Sequence, residues 1–468
     1  MEVDSSKKIR VRRQKLLRND CGRNLKIQKV TVHVKDEQLD HHGSDCGVKY
    51  LKGRRKCSCQ RPTRIGRQGF TRWREMSNKR DKKAMMLSKT SAERSSEIAD
   101  TMSSTGTKEP PSLAHVDDNR RTKGTVSARA ATSMDLKWPL LPWPRGPLSS
   151  AVISAFRREP GSLGITPPVT GVDALSDDDF ALALYLCYEV HYRGATNYNW
   201  EWDSDLLRYR AELEKAFEDR LRDEIAPVEF HFPFEVATVL DETIRASPNP
   251  SLSNYLLETG TLEQFRELCV HRSAYRLKEA DPHTFGIPRL SGEAKAAMVA
   301  IQYDEYGSGE VAAMHSTLFG ETMGALGLDS SYGSYVEVLP GVTLSTVNLV
   351  SMFALHRRWR AALVGHLAVF EMTSVGPMGQ YSRALERFGI GSAGRRFYDV
   401  HVIADKRHGQ IARDRMVTGL IRAEPELAQD LYFGVTALLM LERRFSTHLL
   451  EAWAENRSSL VPWGLPVN

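Results

Sequence analysis

Apolar residues recur every three to four positions along most of the chain after residue 176, and alternation with a period of two residues is almost absent. The first spacing places apolar side chains on one face of an α-helix, whereas a half-buried strand needs the second. We therefore expect an all-α fold with long helices in its second half. The predicted helices span residues 149–158, 180–190, 203–225, 234–246, 250–258, 262–278, 292–306, 311–326, 344–373, 379–388, 394–423 and 428–456.

The beginning of the chain has a different composition from the rest. Residues 1–150 contain 34 Lys and Arg against 16 Asp and Glu, a charge of +18, which leaves 30 against 42, or −12, for the remainder. Large apolar residues are sparse in this stretch, so burial could not offset the entropy of ordering it. We expect residues 1–140 to be a disordered basic N-terminal region, called the basic tail below.

Three interpretations of the basic tail stay open. It is a solvated spacer, an arm that binds nucleic acid or acidic partners, or upstream sequence included by a misplaced start codon, with Met102 and Met134 as later starts. The tail contains no recognisable DNA-binding motif, so nucleic acid is not the partner we expect.

The composition also bears on the compartment. No run approaches the ~18 apolar residues of a membrane-spanning helix, and no secretory signal follows the first residues. Six cysteines are few for 468 residues, which suits a reducing compartment. We expect a cytoplasmic protein without a membrane segment, in which a proline-rich lead-in (138–147) introduces a folded domain over residues 144–463.

One motif carries potential metal chemistry. His401, Asp405 and His408 have the spacing i, i+4 and i+7, so on a helix Asp405 and His408 lie about 40° and about 20° from the direction of His401. Two imidazoles and one carboxylate form a donor set used by non-heme iron(II), although zinc and manganese are also compatible. The alternative is a polar stripe or a helix stabilised by Asp–His pairing.

Further donors occur on other predicted helices. Glu305 ends a strongly apolar helix, and Glu371 ends another, where a carboxylate is costly unless it is paired or bound to a metal. His315 lies about 80° from Glu305 on an ideal helix, but Gly307 and Gly309 permit a break that would correct this. Together these donors suit a carboxylate-bridged di-iron site, although the ExxH pairs of ferritin-like bundles are missing.

These motifs resemble the heme-oxygenase-like di-iron oxidases and oxygenases, also called iron-containing redox enzymes. The resemblance rests on residues 304–309 with His315, on Glu371, and above all on the HxxxDxxH motif at residues 401–408. It covers about residues 144–463 and does not explain the basic tail.

The resemblance implies a heme-oxygenase-like helical bundle in which two non-heme Fe2+ ions activate O2 as the co-substrate. It also implies the oxidation of a small molecule, such as an amine, an amino acid or a fatty acid, and leaves room for an external electron donor and a homodimer. The resemblance implies that one iron is bound by Glu305, His315 and Glu371. The other iron is bound by His401, Asp405 and His408, and Glu371 is a candidate bridge between the two.

Three alternatives are also compatible with the sequence. A heme-handling protein of the same fold needs a proximal histidine and an apolar slot, which does not explain so many carboxylates. A thiaminase-like hydrolase would use Cys187 or Cys269 as its nucleophile, although a buried structural cysteine is the simpler interpretation of both. A non-enzymatic binding protein would act through the basic tail.

Overall fold

The structure, a computed structural model, describes residues 141–194, 196–228, 235–247 and 250–462. None of these residues forms a β-strand, and the all-α fold predicted from the apolar spacing is confirmed. The expected disorder of the basic tail lies outside the described residues. The helices, numbered in chain order, are α1 (Pro147–Phe156), α2 (Asp178–Glu189), α3 (Ser204–Glu224), α4 (Val236–Ala246), α5 (Leu252–Glu258), α6 (Leu262–Arg276), α7 (Asp281–Thr284), α8 (Gly292–Glu305), α9 (His315–Ala325), α10 (Gly341–Leu355), α11 (Arg360–Thr373), α12 (Val375–Arg387), α13 (Ser392–Ile411), α14 (Thr418–Ala423) and α15 (Ala428–Ala454).

Short polar residues begin several of these helices. Asp177 caps α2 by accepting a hydrogen bond from the backbone N–H of Phe180 at 2.8 Å. Thr261 and Gln264 form a reciprocal capping box at the start of α6. Such side chains satisfy N–H groups that have no partner inside the helix, so the starts of α2 and α6 follow from the local sequence.

The single long helix predicted over residues 344–373 is wrong. The chain forms α10 and α11 instead, separated by His356, which is extended (φ −109°, ψ 120°), and by the 3-10 turn Arg357–Trp359. The cause is tertiary packing, because Trp359 is buried and stacks on Phe433 with 5.2 Å between ring centroids. The apolar spacing continues through the break and therefore does not reveal it.

Two other predicted helices are interrupted. The helix predicted over residues 311–326 begins at His315, after the 3-10 turn Val311–Ala313. The helix predicted over residues 394–423 is divided into α13 and α14 by the π-helical turn Ala412–Val417. Single π-helical turns inside α-helices occur frequently at functional sites.

The helices α11 and α13 organise the packing around the donors. Helix α11 packs against α15 and α13, and α13 also packs against α9, α12 and α8. Two clusters of buried apolar side chains fill the spaces between these helices. The end of α8, the end of α11 and the second half of α13 are thereby neighbours.

Among the described residues, no single helix combines the length and the apolar composition that a membrane crossing needs. The segments Arg357–Thr373 and Val375–Arg387 reach that threshold together, but they bend by 53° at their junction.

Candidate metal centre

Three of the predicted donors lie on one buried face of α13. His401, Asp405 and His408 are 4%, 3% and 0% exposed. Seven residues of an α-helix advance the backbone by about 10.5 Å, so His401 and His408 are too far apart along the axis to bind the same ion. Their arrangement along one face suits two adjacent metal positions.

His401 belongs to a first cluster with Glu279, Glu305 and His315. One potential ligand atom from each of these buried residues lies within 4.8 Å of the others. His315 Nδ1 is 2.7 Å from Glu305 Oε2, and His401 Nε2 is 3.6 Å from Glu279 Oε1. Two imidazoles and two carboxylates form a suitable donor set for a divalent transition metal such as iron.

Asp405 and His408 belong to a second cluster with Glu305 and Glu371, within the same 4.8 Å limit. His408 Nδ1 is 3.3 Å from Glu371 Oε2, 3.5 Å from Asp405 Oδ1 and 3.8 Å from Glu305 Oε1. Glu305 is common to both clusters, with Oε2 near His315 and Oε1 near His408. Its carboxylate therefore has the geometry of a bridge between two ions.

This grouping differs from the one that the resemblance implied. His401 lies with Glu305 and His315 rather than with its helical neighbours Asp405 and His408, and Glu305 rather than Glu371 takes the shared position. His401 and His408 lie on the same face of α13, but the rise of the helix places them at different positions along its axis. The role of all these residues as metal ligands stays a prediction.

A sharp turn brings Glu305 and His315 together. Glu305 is the last residue of α8 and His315 is the first of α9. Between them φ is positive at Gly307 (65°) and Gly309 (93°), and a Cβ on Gly307 would clash with the backbone nitrogen of Met314. The break predicted at these glycines is confirmed, because only glycine adopts this conformation without a steric cost.

A close helix crossing brings Glu371 next to His408. A Cβ on Gly409 would lie 2.8 Å from the carbonyl oxygen of Glu371, which is closer than real Cβ atoms approach. Glycine at this position therefore lets α11 and α13 approach closely at the level of the second cluster. The π-helical turn Ala412–Val417 follows directly and packs on α8 and α11.

Hydrogen bonds from neighbouring groups orient the donors of α13. His401 Nδ1 donates to the carbonyl oxygen of Phe397 at 2.7 Å, which leaves Nε2 free to face the first cluster. His408 Nε2 donates to Asp304 Oδ2 at 3.0 Å, which leaves Nδ1 for the second. Ser374 Oγ donates to Asp405 Oδ2 at 2.5 Å. Such contacts fix the tautomer and the ring orientation of metal-binding histidines.

Several buried polar atoms of the two clusters have no hydrogen-bond partner among the described residues. They are Glu279 Oε2, His315 Nδ1, Asp405 Oδ1 and His408 Nδ1. The 2.7 Å approach of His315 to Glu305 lacks hydrogen-bond geometry. A buried polar atom without a hydrogen-bond partner destabilises the fold. Each of these four atoms is a potential metal ligand in one of the two clusters. The residues present therefore fit a pair of divalent cations.

The crowded carboxylates have strongly shifted pKa values. Burial raises the pKa of Glu371 to about 8, with the negative charges of Glu305 and Asp405 adding to the effect. Burial opposes ionisation of Glu305 too, but His315, His401 and His408 outweigh it and lower the pKa of Glu305 to about 2. Despite burial, the neighbouring carboxylates raise the pKa of His408 to about 11. Without metal, the second cluster thus holds protons that a cation would displace.

Glu279 is the donor that the sequence motifs did not identify. It follows α6 in a short charged stretch with Lys278 and Asp281, and such a stretch is typical of the end of a helix. In the structure Glu279 is 6% exposed and pairs with the guanidinium of Arg276. The burial of a carboxylate three residues beyond the end of α6 is a tertiary property, so spacing alone gives no signal for it.

A cavity of about 310 Å³ lies beside the metal-donor clusters. Arg276, Phe370, Ser374 and Met378 line both this cavity and the small space of about 30 Å³ at the donors. The cavity is of the size and largely apolar character of small-molecule sites. The cavity thus shares part of its wall with a space that donors of both clusters line.

The two cysteines of the described residues argue against a thiol nucleophile. Cys187 and Cys269 are both fully buried and free. Burial raises the pKa of both thiols to about 12, so neither forms the thiolate that nucleophilic catalysis requires.

Comparison with known proteins points to the same region of the chain. Residues 266–443 match the family described as iron-containing redox enzymes. A nitrosourea synthase from Streptomyces achromogenes subsp. streptozoticus is 25% identical over 196 residues. That alignment covers 41% of this chain and 41% of the relative, so it spans about two fifths of the curated relative's length. The family match includes every donor of both clusters.

Proposed function

We propose that this chain, in which residues 266–443 match the iron-containing redox enzymes and the described residues form an all-α, heme-oxygenase-like fold, is an oxygen-dependent oxidoreductase with two non-heme Fe2+ ions. The observation that carries the proposal is Glu305, whose two carboxylate oxygens face two different clusters of buried donors. A bridging carboxylate between clusters of histidine and carboxylate donors suits a pair of ions rather than one.

Each side chain of the site has a distinct part in the proposal. Glu279, His315 and His401 would hold one ion, Glu371, Asp405 and His408 would hold the other, and Glu305 would contribute to both. Bound ferrous ions would supply electrons to O2, which otherwise reacts slowly with closed-shell organic molecules.

Groups around the ligands keep the site ordered and dry. Asp304 accepts a hydrogen bond from Nε2–H of His408, and Ser374 donates one to Asp405, so both side chains are oriented before a cation binds. The apolar side chains Leu367, Phe370 and Met378 line the space beside the donors and exclude water from it.

The substrate in this proposal is a small molecule bound in the 310 Å³ cavity, whose wall is shared with the donor clusters. An amine, an amino acid or a fatty acid is the class that the family resemblance implies. The family resemblance also leaves room for an external electron donor.

Anaerobic titration of the full-length protein with Fe2+ tests the proposal, followed by metal analysis and exposure to O2. We expect two bound irons per chain, a transient visible absorption on mixing with O2, and consumption of O2. His401→Ala and His408→Ala should each lose about one iron.

Two results would contradict the proposal. Full iron occupancy in both histidine variants would show that the assigned donors are wrong. A Soret band that appears with hemin, together with no binding of Fe2+, would favour the heme-handling alternative.

A further inference from the structure

We infer that the substrate of the proposed di-iron site is a carboxylic acid with an apolar body, whose carboxylate pairs with Arg276. This inference rests on the proposed function and names the substrate class within it. It selects acids over amines, and it depends on the position and the charge of one guanidinium.

Arg276 stands at the boundary between the large cavity and the donor clusters. Its side chain lines both spaces and is 14% exposed. The guanidinium lies over the rings of Phe370 and Phe397, at 5.9 and 5.5 Å from their centroids. Contacts with aromatic rings hold the planar group in one orientation. A ligand in the cavity therefore meets a fixed cation next to the metal centre.

The charge of Arg276 is balanced by Glu279 when no metal is bound. Glu279 is the carboxylate with which Arg276 pairs in the described part of the chain. However, Glu279 also belongs to the first metal cluster, and its Oε2 has no hydrogen-bond partner among the described residues. The carboxylate of Glu279 is thus placed both to pair with Arg276 and to bind a metal ion.

Metal binding changes this balance. The two clusters together contain four carboxylates, those of Glu279, Glu305, Glu371 and Asp405, and two ferrous ions carry a matching positive charge. Once these charges neutralise each other, the guanidinium of Arg276 is left with excess positive charge in a buried position. A buried unpaired charge is costly, so an anion in the cavity is favoured.

The second arginine of the cavity does not offer the same attraction. Arg272 forms a bidentate ion pair with Glu442, with Nη1–Oε1 and Nη2–Oε2 distances of 2.8 and 2.6 Å. This pair is neutral and stays so when the metals bind. The excess charge is therefore confined to Arg276.

The rest of the wall defines the remainder of the ligand. Leu268, Phe319, Met378, Leu438 and Leu439 contribute apolar surface to the cavity. A single uncompensated positive charge matches a carboxylate, whereas a phosphate monoester carries about −1.5 to −2 at pH 7, and an amine would be repelled. The guanidinium also matches the planar carboxylate geometrically.

Binding of three probes of equal length tests the inference: octanoate, 1-octanol and octylamine. The full-length protein is loaded anaerobically with Fe2+, its iron content is measured, and each affinity is determined by calorimetry with and without iron. We expect iron-loaded protein to bind octanoate about tenfold to a hundredfold more tightly than 1-octanol, as a charge-assisted hydrogen bond provides. Removal of iron should weaken octanoate binding and leave 1-octanol binding unchanged.

Variants separate the guanidinium from direct binding of the probe to iron. Arg276→Gln should remove the preference for octanoate, and Arg276→Lys, which keeps the positive charge, should retain part of it. Arg395→Gln is the matched control, because Arg395 is similarly buried (19% exposed) and pairs with Glu386 away from the cavity.

The possible failures are distinguishable. Iron-loaded protein that binds 1-octanol or octylamine as tightly as octanoate overturns the inference and leaves the iron site standing. The same holds if octanoate binding is unchanged in both Arg276 variants. A protein that binds no iron overturns the proposed function and this inference together.

Discussion

Nε2 of His408 lies 3.0 Å from Oδ2 of Asp304, a residue on the last turn of α8. Asp304 therefore contacts the ring nitrogen of His408 that does not belong to the second cluster. The hydrogen bond fixes which ring nitrogen of His408 is available to a metal. A carboxylate behind a ligating histidine also raises the basicity of the ligand.

Replacing Asp304 should therefore weaken metal binding without removing a ligand. We expect Asp304→Asn to lower the affinity of the second cluster for Fe2+ by about tenfold to a hundredfold, measured by anaerobic competition with a chelator. Arg407→Gln is the control, since Arg407 is 3.6 Å from the same carboxylate oxygen but largely exposed. An equal loss in both variants would assign the effect to charge at the surface rather than to the orientation of His408.

The shared position of Glu305 predicts a difference between two similar substitutions. Glu305→Ala removes a donor from both clusters, whereas Glu371→Ala removes one from the second. We expect close to no tightly bound iron in the first variant and about one iron in the second, by metal analysis after gel filtration. His366→Phe, a buried histidine outside both clusters, should keep two. One iron in the Glu305 variant together with almost none in the Glu371 variant would instead make Glu371 the bridge.

The pKa shifts predict that iron binding releases protons. At pH 7 both Glu371, with its pKa raised to about 8, and His408, with its pKa raised to about 11, carry a proton in the metal-free protein. Ligation requires the deprotonated forms, so binding becomes tighter as the pH rises. At pH 9 Glu371 is already ionised, and the release should fall by about one proton. Anaerobic titration in weak buffer with a pH indicator measures this, and equal release at both pH values would contradict the shift of Glu371.

A buried ion pair next to the site predicts a large loss of stability. Lys278 is 1% exposed and pairs with Glu189, which also accepts a hydrogen bond from Tyr332 at 2.6 Å. Burial lowers the pKa of Lys278, against the pull of Glu189. Glu189→Gln leaves the lysine without its counter-charge, and we expect the free energy of unfolding to fall by about 3–5 kcal/mol, measured by denaturant unfolding of metal-free protein.

Two controls accompany that measurement. The double variant Glu189→Leu with Lys278→Met should lose less stability than Glu189→Gln, because it removes both charges. Glu455→Gln breaks an exposed pair with Arg457 and should cost less than about 1 kcal/mol. A loss of similar size in all three variants would mean that the buried pair has no special energetic role.

Local pattern accounts for most of the helices. The all-α class follows from the apolar spacing, and the turn between α8 and α9 follows from Gly307 and Gly309. The break at His356 could not be predicted in the same way, because it depends on the burial of Trp359 against Phe433, which is distant in sequence.

The same division holds for the candidate site. The sequence by itself determined that His401, Asp405 and His408 share one face of a helix, since a period of 3.6 residues is a local property of the backbone. Only the tertiary structure decided how these donors are grouped, because the ends of α6, α8 and α11 reach α13 at different levels. The burial of Glu279 and the shared position of Glu305 depend on those crossings, which no spacing along the chain encodes.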